Sequence, residues 1–210
     1  MIADSSIQPA KLLARARDGD SDAVGKLLEQ YLHYLQILAS VQLDQKLRHR
    51  VSPSDIVQET VCEAHRDFHQ FRGTGERQFV AWLRKIMVNN LARVVERHVL
   101  TGKRDVRRER SLQQMQKAMD RSTMQLDALL VAQNATPSEV ALERERGVQL
   151  ANCIAQLPED YRTVVTLRNF QGLPFKAVAE QMERSPGAVR MLWVRALEEL
   201  RLLLESGGSI

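Results

Sequence analysis

The sequence predicts an all-α protein with two small helical domains joined by a linker. Every strong hydrophobic periodicity in its 210 residues is helical, and no alternating segment of useful length indicates a strand. Hydrophobic residues make up 44% of the chain, charged residues 27% and aromatic residues 5%, which is typical of a soluble helical protein. Between two helical blocks, residues 111–135 are rich in Gln, Met and Ser and show no convincing helix cap, which favours a linker.

The N-terminal block is predicted to contain four helices. They cover residues 9–17, 22–43, 53 to about 71, and about 78–99. The sequence DGD separates the first two helices. The third opens at SPSD, where Ser52 is the expected N-cap, Pro53 the first helical residue and Asp55 the partner in a near capping box. A glycine-rich loop, RGTGER, precedes the fourth helix.

The C-terminal block is predicted to contain four further helices. Thr136 is the expected N-cap of the first, and the second runs from Pro158 to a stop at Gly172. The last two cover 174–182 and 186–204, and their tight link predicts a helix-turn-helix or simple helical packing. Glu183 argues against the motif, because glycine usually stands there and a left-handed non-glycine residue costs ~1 kcal/mol.

Helical geometry divides the last helix into two faces. The buried face is predicted to contain Val189, Leu192, Trp193, Ala196 and Leu200. The open face contains Gly187, Arg190, Met191, Val194 and Glu198, with Arg195 at its edge.

The third helix divides in the same way. Its buried face is predicted to contain Val57, Val61, Ala64, Phe68 and Phe71. Its exposed face contains Asp55, Gln58, Glu59, Cys62, Glu63 and Arg66. Favourable interaction with the helix dipole could explain an acid in the first turn, but not the Gln-Glu pair a turn further on.

Positive charge is concentrated in residues 84–110. This segment has a net charge of +6, whereas the whole chain carries +4. The clustering favours a polyanion as partner over a merely solvated helical face.

The sequence gives little support for a metal site or an enzyme. Cys62, His65 and His69 share one side of a helix, but the outer pair is about 10 Å apart, too far for one small ion. RGTGER lacks the Lys-Ser/Thr and the preceding strand of a phosphate-binding loop, and no HExxH or GxSxG motif is present. We therefore expect no metal, cofactor or catalytic residue. Two distant cysteines and the lack of a signal peptide or long apolar run predict a cytoplasmic protein without disulfides.

Two segments resemble the extracytoplasmic-function (ECF) sigma factors of bacterial RNA polymerase. SPSDIVQETVCEAHRDFHQFRGTGERQFVAWLRKIMVNNLARVVERH is similar to sigma region 2, and LPEDYRTVVTLRNFQGLPFKAVAEQMERSPGAVRMLWVRALEELR is similar to region 4. The resemblance implies a region 2-like domain at 1–105, a linker at 106–135 and a region 4-like domain at 136–206. It implies core RNA polymerase and promoter DNA as partners. ECF sigma factors are often held by an anti-sigma protein, although no residue here indicates one.

The resemblance also implies roles for individual residues. Asp55, Gln58 and Glu59 match the contact to the clamp coiled coil of the largest polymerase subunit. Arg72, Gly73, Thr74, Gly75 and Glu76 match the loop that accepts a flipped base of the −10 element, and Asn89 matches the asparagine beside it. The basic run, including Arg93 and Arg97, would follow the DNA backbone.

Region 4 would read the −35 element with Arg184, Ser185, Gly187, Arg190, Met191, Val194 and Arg195. The family commonly has a small polar residue and an arginine where this chain has Met191 and Leu192, so base readout would depend on Arg190 and on apolar contacts to thymine methyl groups. The alternatives are a helix-turn-helix regulator that acts without polymerase, and a small metal-dependent hydrolase using Cys62, His65 and His69.

Overall fold

The computed structural model describes residues 8–43, 51–99, 117 and 143–207. These residues form helices and connecting segments without a strand, which confirms the all-α fold class. They divide into two compact units, one within Met1–Asp120 and the other within Arg121–Ile210. Apart from position 117, the linker predicted at 106–135 lies outside the described residues, as do the cap at Thr136 and the basic run beyond residue 99. Within the described part of the chain, no helix is both long and apolar enough to cross a membrane.

The described part of the N-terminal unit contains five α-helices. They are α1 (Pro9–Arg17), α2 (Ser21–Glu29), α3 (Leu32–Gln42), α4 (Pro53–Arg66) and α5 (Glu76–Val99). Helix α4 begins as the sequence predicts: the Ser52 hydroxyl accepts the Asp55 backbone N–H at 3.1 Å, and the Asp55 carboxylate accepts the Ser52 N–H at 3.1 Å. The hydrogen bond from the Ser52 backbone lowers the pKa of the Asp55 carboxyl group, so this cap is ionised at neutral pH.

Two predicted helices in this unit have different bounds. The helix expected to extend to residue 71 ends at Arg66, and a 3₁₀ turn (Phe68–Gln70) follows it. The helix expected at 22–43 is interrupted between α2 and α3. Tyr31 lies at the interruption with a fully buried side chain, and its hydroxyl donates a 2.8 Å hydrogen bond to Glu76. A buried tyrosine hydroxyl needs such a partner, so a contact 45 residues away fixes the position of the break.

In the C-terminal unit, residues 143–207 form four α-helices. They are α6 (Glu143–Gln156), α7 (Glu159–Val165), α8 (Phe175–Gln181) and α9 (Pro186–Gly207). A π-helical turn (Thr166–Phe170) extends α7, and Gly172 ends it with a φ of +68°, as the sequence predicts. Residues from all four helices meet in one core, among them Ile154, Val164, Val178 and Val189.

The turn between α8 and α9 contains the expected left-handed residue. Glu183 has a φ of 54°, and the Arg184 N–H donates to the Ala179 carbonyl at 3.0 Å in the pattern of a Schellman cap. The helix-turn-helix backbone therefore forms in spite of the missing glycine.

Replacing Glu183 with Gly is expected to stabilise the C-terminal unit by about 0.5–1 kcal/mol, because glycine removes the steric cost of the left-handed conformation. Urea unfolding followed by Trp193 fluorescence in a Trp82→Phe background measures the change. Glu183→Ala is the matched control, since alanine keeps the steric cost and should give no such gain. Equal stability of the Gly and Ala variants would contradict this explanation.

Candidate nucleic-acid and protein interfaces

The exposed face of α4 presents the three residues that the sequence assigned to a protein partner. Asp55 and Gln58 are exposed, while the Glu59 side chain is 42% exposed. The Glu59 carboxylate lies 3.8 Å from the Arg97 guanidinium of α5. Asp55 also caps the helix, so its carboxylate is partly occupied within the protein.

Glu63 was predicted to lie on the exposed face of α4, but the structure largely buries it. Its side chain is only 16% exposed, and its carboxylate accepts a 3.0 Å hydrogen bond from Arg93 of α5. Arg93 also donates to the Asn90 side-chain carbonyl at 2.9 Å. Asn90 is fully buried and donates to the Thr60 hydroxyl at 3.3 Å. A polar network thus crosses the contact between α4 and α5.

The buried face of α4 is also wider than the sequence predicted. Ile56 and Thr60 are buried but were not assigned to it, whereas Val61 is only half-buried. Thr60 satisfies its hydroxyl by donating to the Ile56 carbonyl at 2.7 Å, which allows a polar residue to be buried there. Both α3 and α5 pack against α4, so its buried surface extends beyond a single stripe.

Arg93 and Arg97 are the two cations of α5 that the sequence assigned to the DNA backbone. Their side chains are 47% and 61% exposed, and each pairs with an acidic residue of α4. Exposed ion pairs of this kind are weak and sensitive to salt, so a phosphate could compete for either guanidinium.

The RGTGE loop (72–76) is held by contacts on both sides. A Cβ atom at Gly73 would overlap the Phe71 ring and lie 2.7 Å from the Gln78 Cβ, whereas one at Gly75 would have no described atom within 4 Å. The Thr74 N–H donates to the Gln78 side chain at 2.6 Å. Glycine is therefore needed at position 73 for close packing, and position 75 does not share this need.

An aromatic cluster supports the loop. The Trp82 ring centroid lies 5.4 Å from that of Phe71 and 5.9 Å from that of Phe79. Phe79 is buried and Trp82 is half-buried, so packing accounts for both rings. Asn89 lies two helical turns beyond Trp82 and is also half-buried. The structure therefore places this asparagine on the same side of α5 as Trp82.

The open face of α9 is exposed as the sequence predicts. Met191 is 56% exposed and Val194 is 49% exposed, although both are apolar. The Ser185 hydroxyl accepts the Ala188 N–H at 3.2 Å and thereby caps the start of the helix. Gly187, Arg190 and Arg195 are exposed on the same helix.

Contacts within the C-terminal unit hold two arginines of this surface. The Arg184 guanidinium is 2.6 Å from the Asp160 carboxylate of α7. The Arg190 guanidinium carbon is 5.6 Å from the centre of the Phe175 ring. These contacts join residues at least 15 positions apart, and no local pattern in the sequence indicates them.

Trp193 and Leu192 are half-buried, not fully buried as the sequence predicted. The Trp193 indole N–H donates to the Asn169 side chain at 2.8 Å. The Trp193 and Phe175 rings pack edge-to-face, with their centroids 5.6 Å apart. The indole ring has a polar edge, so it can pack at the margin of the core and still satisfy its N–H. Val189, Ala196 and Leu200 form the buried centre of this face.

Among the described residues, no group of three or more His, Cys, Asp or Glu side chains is arranged to hold a metal ion. Cys62 is exposed.

Comparison with known proteins relates the chain to sigma factors. The family model described as Sigma-70, region 4 matches residues 147–200. The ECF RNA polymerase sigma-E factor of Haemophilus influenzae is 29% identical over 187 residues, which are 89% of this chain and 90% of that protein. The RNA polymerase sigma-H factor of Pseudomonas aeruginosa is 29% identical over 199 residues, 94% of each chain.

Two solved structures resemble the chain over most of its length. They are BldN in the RsbN–BldN complex (22% identity, TM-score 0.32, covering 91% of this chain and 98% of that chain) and CnrH bound to the cytosolic domain of CnrY (21% identity, TM-score 0.33, 94% and 97%). These low TM-scores support no structural conclusion.

A helical unit that ends in a sigma-70 region 4 helix-turn-helix, preceded by a second helical unit, defines the class of sigma factors. Within that class, the similarity over about nine-tenths of the chain is to sigma factors of the ECF type. Residues 147–200 thus match sigma-70 region 4, and the chain is similar to ECF sigma factors of bacterial RNA polymerase along most of its length.

Proposed function

We propose that this protein binds core RNA polymerase, recognises the −35 and −10 promoter elements and promotes DNA opening. The observation that carries the proposal is the presence, in one chain, of a region 4 helix-turn-helix and a second unit with the Asp-x-Val-Gln-Glu face. A regulator that acts without polymerase would leave that face and the packed RGTGE loop unexplained. The protein would act in the cytoplasm and perform no catalytic step of its own.

The polymerase would bind the exposed face of α4. We assign this contact to Asp55, Gln58 and Glu59, whose side chains are at least partly accessible. The Glu59 carboxylate would have to exchange its long contact to Arg97 for one to the polymerase, and the 3.8 Å separation makes this exchange inexpensive.

The −10 element would bind the N-terminal unit. A flipped base would enter beside the RGTGE loop (Arg72, Gly73, Thr74, Gly75 and Glu76) and meet Asn89. Arg93 and Arg97 would contact phosphates, which position the strand without reading its sequence. The packing of the loop against Phe71 and Gln78 supports this role, because it gives the loop a defined shape before DNA binds.

The −35 element would bind the open face of α9. Arg190, with its guanidinium over Phe175, would supply the main polar contact to a base. Met191 and Val194 would contact thymine methyl groups. The edges of the site would be contacted by Arg184, Ser185, Gly187 and Arg195. Arg184 would bind DNA either after its ion pair with Asp160 breaks or through the guanidinium donors that this pair leaves free. An anti-sigma protein remains an expectation of the family.

Reconstitution with core polymerase tests the proposal. The protein should bind core polymerase and direct initiation from defined start sites. Specific DNA binding by the protein alone, without any binding to core polymerase, would favour the independent regulator.

Replacing Asn89 with Ala is expected to lower the preference for −10 single-stranded DNA over a scrambled strand by about 1–3 kcal/mol. Total affinity should fall less, because Arg93 and Arg97 still contact the phosphates. Fluorescence anisotropy with labelled strands measures both quantities. Arg97→Gln is the control and should lower affinity for both strands equally. An unchanged preference in Asn89→Ala would refute the pocket assignment.

Replacing Gly73 with Ala is expected to displace the loop, because the new methyl group overlaps the Phe71 ring. The strain is about 1–3 kcal/mol, and we expect a loss of −10 preference of similar size. Gly75→Ala is the matched control, since its methyl group enters open space. The same anisotropy assay applies, and equal behaviour of the two alanine variants would show that loop shape does not determine recognition.

A further inference from the structure

The N-terminal unit contains a cavity that adjoins the RGTGE loop at Arg72. Its volume is about 470 Å³, and it lies between the α1–α2 turn and the end of α4. Gly19 and Ser21 line one side, and Phe68 and Phe71 form an apolar part of the wall. This volume exceeds that of a single phosphate ion and is sufficient for a group of nucleotide size.

The polar part of the wall is basic. Arg17, His65, Arg66, His69 and Arg72 all line the cavity, and the described lining contains no carboxylate. The Arg66 guanidinium is paired with Asp67 at 3.0 Å. Among the described residues, Arg17 and Arg72 have no ion pair within 4.0 Å, so their charges are not neutralised by a neighbouring acid.

The N-terminus of α2 adds to the positive electrostatic potential of the cavity. Ser21 is the first residue of the nine-residue helix α2, whose dipole places partial positive charge beside the cavity. Asp20 caps that helix and pairs with Arg15 at 2.6 Å, and neither residue lines the cavity. The Asp20 carboxylate is thus already engaged by Arg15 and by the N-terminus of α2.

We propose that this cavity, which we call the basic pocket, binds a phosphate group. Guanidinium groups suit phosphate because their donors match its oxygens, and the adjoining hydroxyl and imidazole groups supply further hydrogen bonds. Arg72 belongs to both the basic pocket and the RGTGE loop, which favours a backbone phosphate of the single strand that leaves that loop. The choice of DNA as the source rests on the proposed function, whereas phosphate binding itself does not.

Titration of the full-length protein with pyrophosphate tests the basic pocket directly. Amide resonances of Gly19 and Ser21 should shift and saturate in the wild-type protein. Arg17→Gln should weaken the apparent affinity about tenfold, the expected effect of losing a charge-assisted hydrogen bond. Lys11→Gln removes the same charge from α1 outside the pocket and should have little effect. Thermal melting verifies that both variants are folded.

A second arm distinguishes the source of the phosphate. Single strands with and without abasic nucleotides flanking the −10 sequence are compared by anisotropy. If the flanking nucleotides increase the affinity for the strand, and if this increase is lost in Arg17→Gln but kept in Lys11→Gln, the bound group is a DNA phosphate. An Arg17 dependence seen only with pyrophosphate identifies a small free phosphate compound. Absence of Arg17 dependence in both arms overturns the proposal, whether or not the protein binds core polymerase, which tests the proposed function separately.

Discussion

The double substitution of Gln58 by Ala and Glu59 by Lys is expected to reduce affinity for core RNA polymerase by about 1–3 kcal/mol per lost contact. Both side chains are accessible on α4, and neither contributes to its buried face. Helix content and melting temperature should therefore change little. Competition with a labelled sigma factor for a limiting amount of core polymerase measures the effect.

The ion pair between Glu59 and Arg97 requires a control. Arg97→Ala breaks the same pair but leaves the acidic face of α4 intact, so it should retain normal affinity for core polymerase. Equal loss of affinity in Arg97→Ala and in the double variant would assign the effect to the α4–α5 pair. Unchanged affinity in the double variant would refute the assignment of this face to the polymerase.

Trp193→Ala and Arg190→Ala are expected to have separate effects, although the two residues lie three positions apart on α9. Trp193→Ala removes the contact with Phe175 and the hydrogen bond to Asn169. The half-buried position lowers the expected loss in free energy of unfolding to about 2–4 kcal/mol, somewhat below the range for a fully buried tryptophan. Urea unfolding of the C-terminal unit, followed by circular dichroism, measures this loss.

Arg190→Ala should leave stability nearly unchanged, because its side chain is exposed and its only described side-chain contact is the 5.6 Å cation–π contact with Phe175. It should reduce discrimination at one −35 position by about 1–3 kcal/mol if the guanidinium pairs with a guanine. Binding across a panel of −35 variants measures this. If Trp193→Ala folded normally and lost only DNA binding, the assignment of the two faces of α9 would be inverted.

Local chemistry made much of the fold predictable. The Ser52 capping box and the stop at Gly172 each depend on a few neighbouring residues, and the structure contains both. The missing glycine at position 183 argued against the helix-turn-helix, but the structure forms the turn with Glu183 in the left-handed conformation. The faces of α9 also followed from helical geometry, apart from the partial exposure of Leu192 and Trp193.

Contacts between distant residues were not predictable in the same way. The break at Tyr31 depends on Glu76, and the burial of Asn90 depends on Thr60 and Arg93. The sequence NN at 89–90 gives no sign that one asparagine is buried in a polar network and the other is partly accessible. The need for glycine at position 73 likewise arises from the Phe71 ring, and a glycine-rich loop alone does not distinguish it from Gly75.

The central claim is that this protein gives core RNA polymerase its choice of promoter. The most direct test is to transcribe a library of random DNA with core polymerase, with and without the protein, and to map the 5′ ends of the transcripts. The account predicts defined start sites that depend on the protein and share two upstream elements, with Asn89→Ala altering preference only in the −10 element and Arg190→Ala only in the −35 element. The same unselected ends with and without the protein would contradict it.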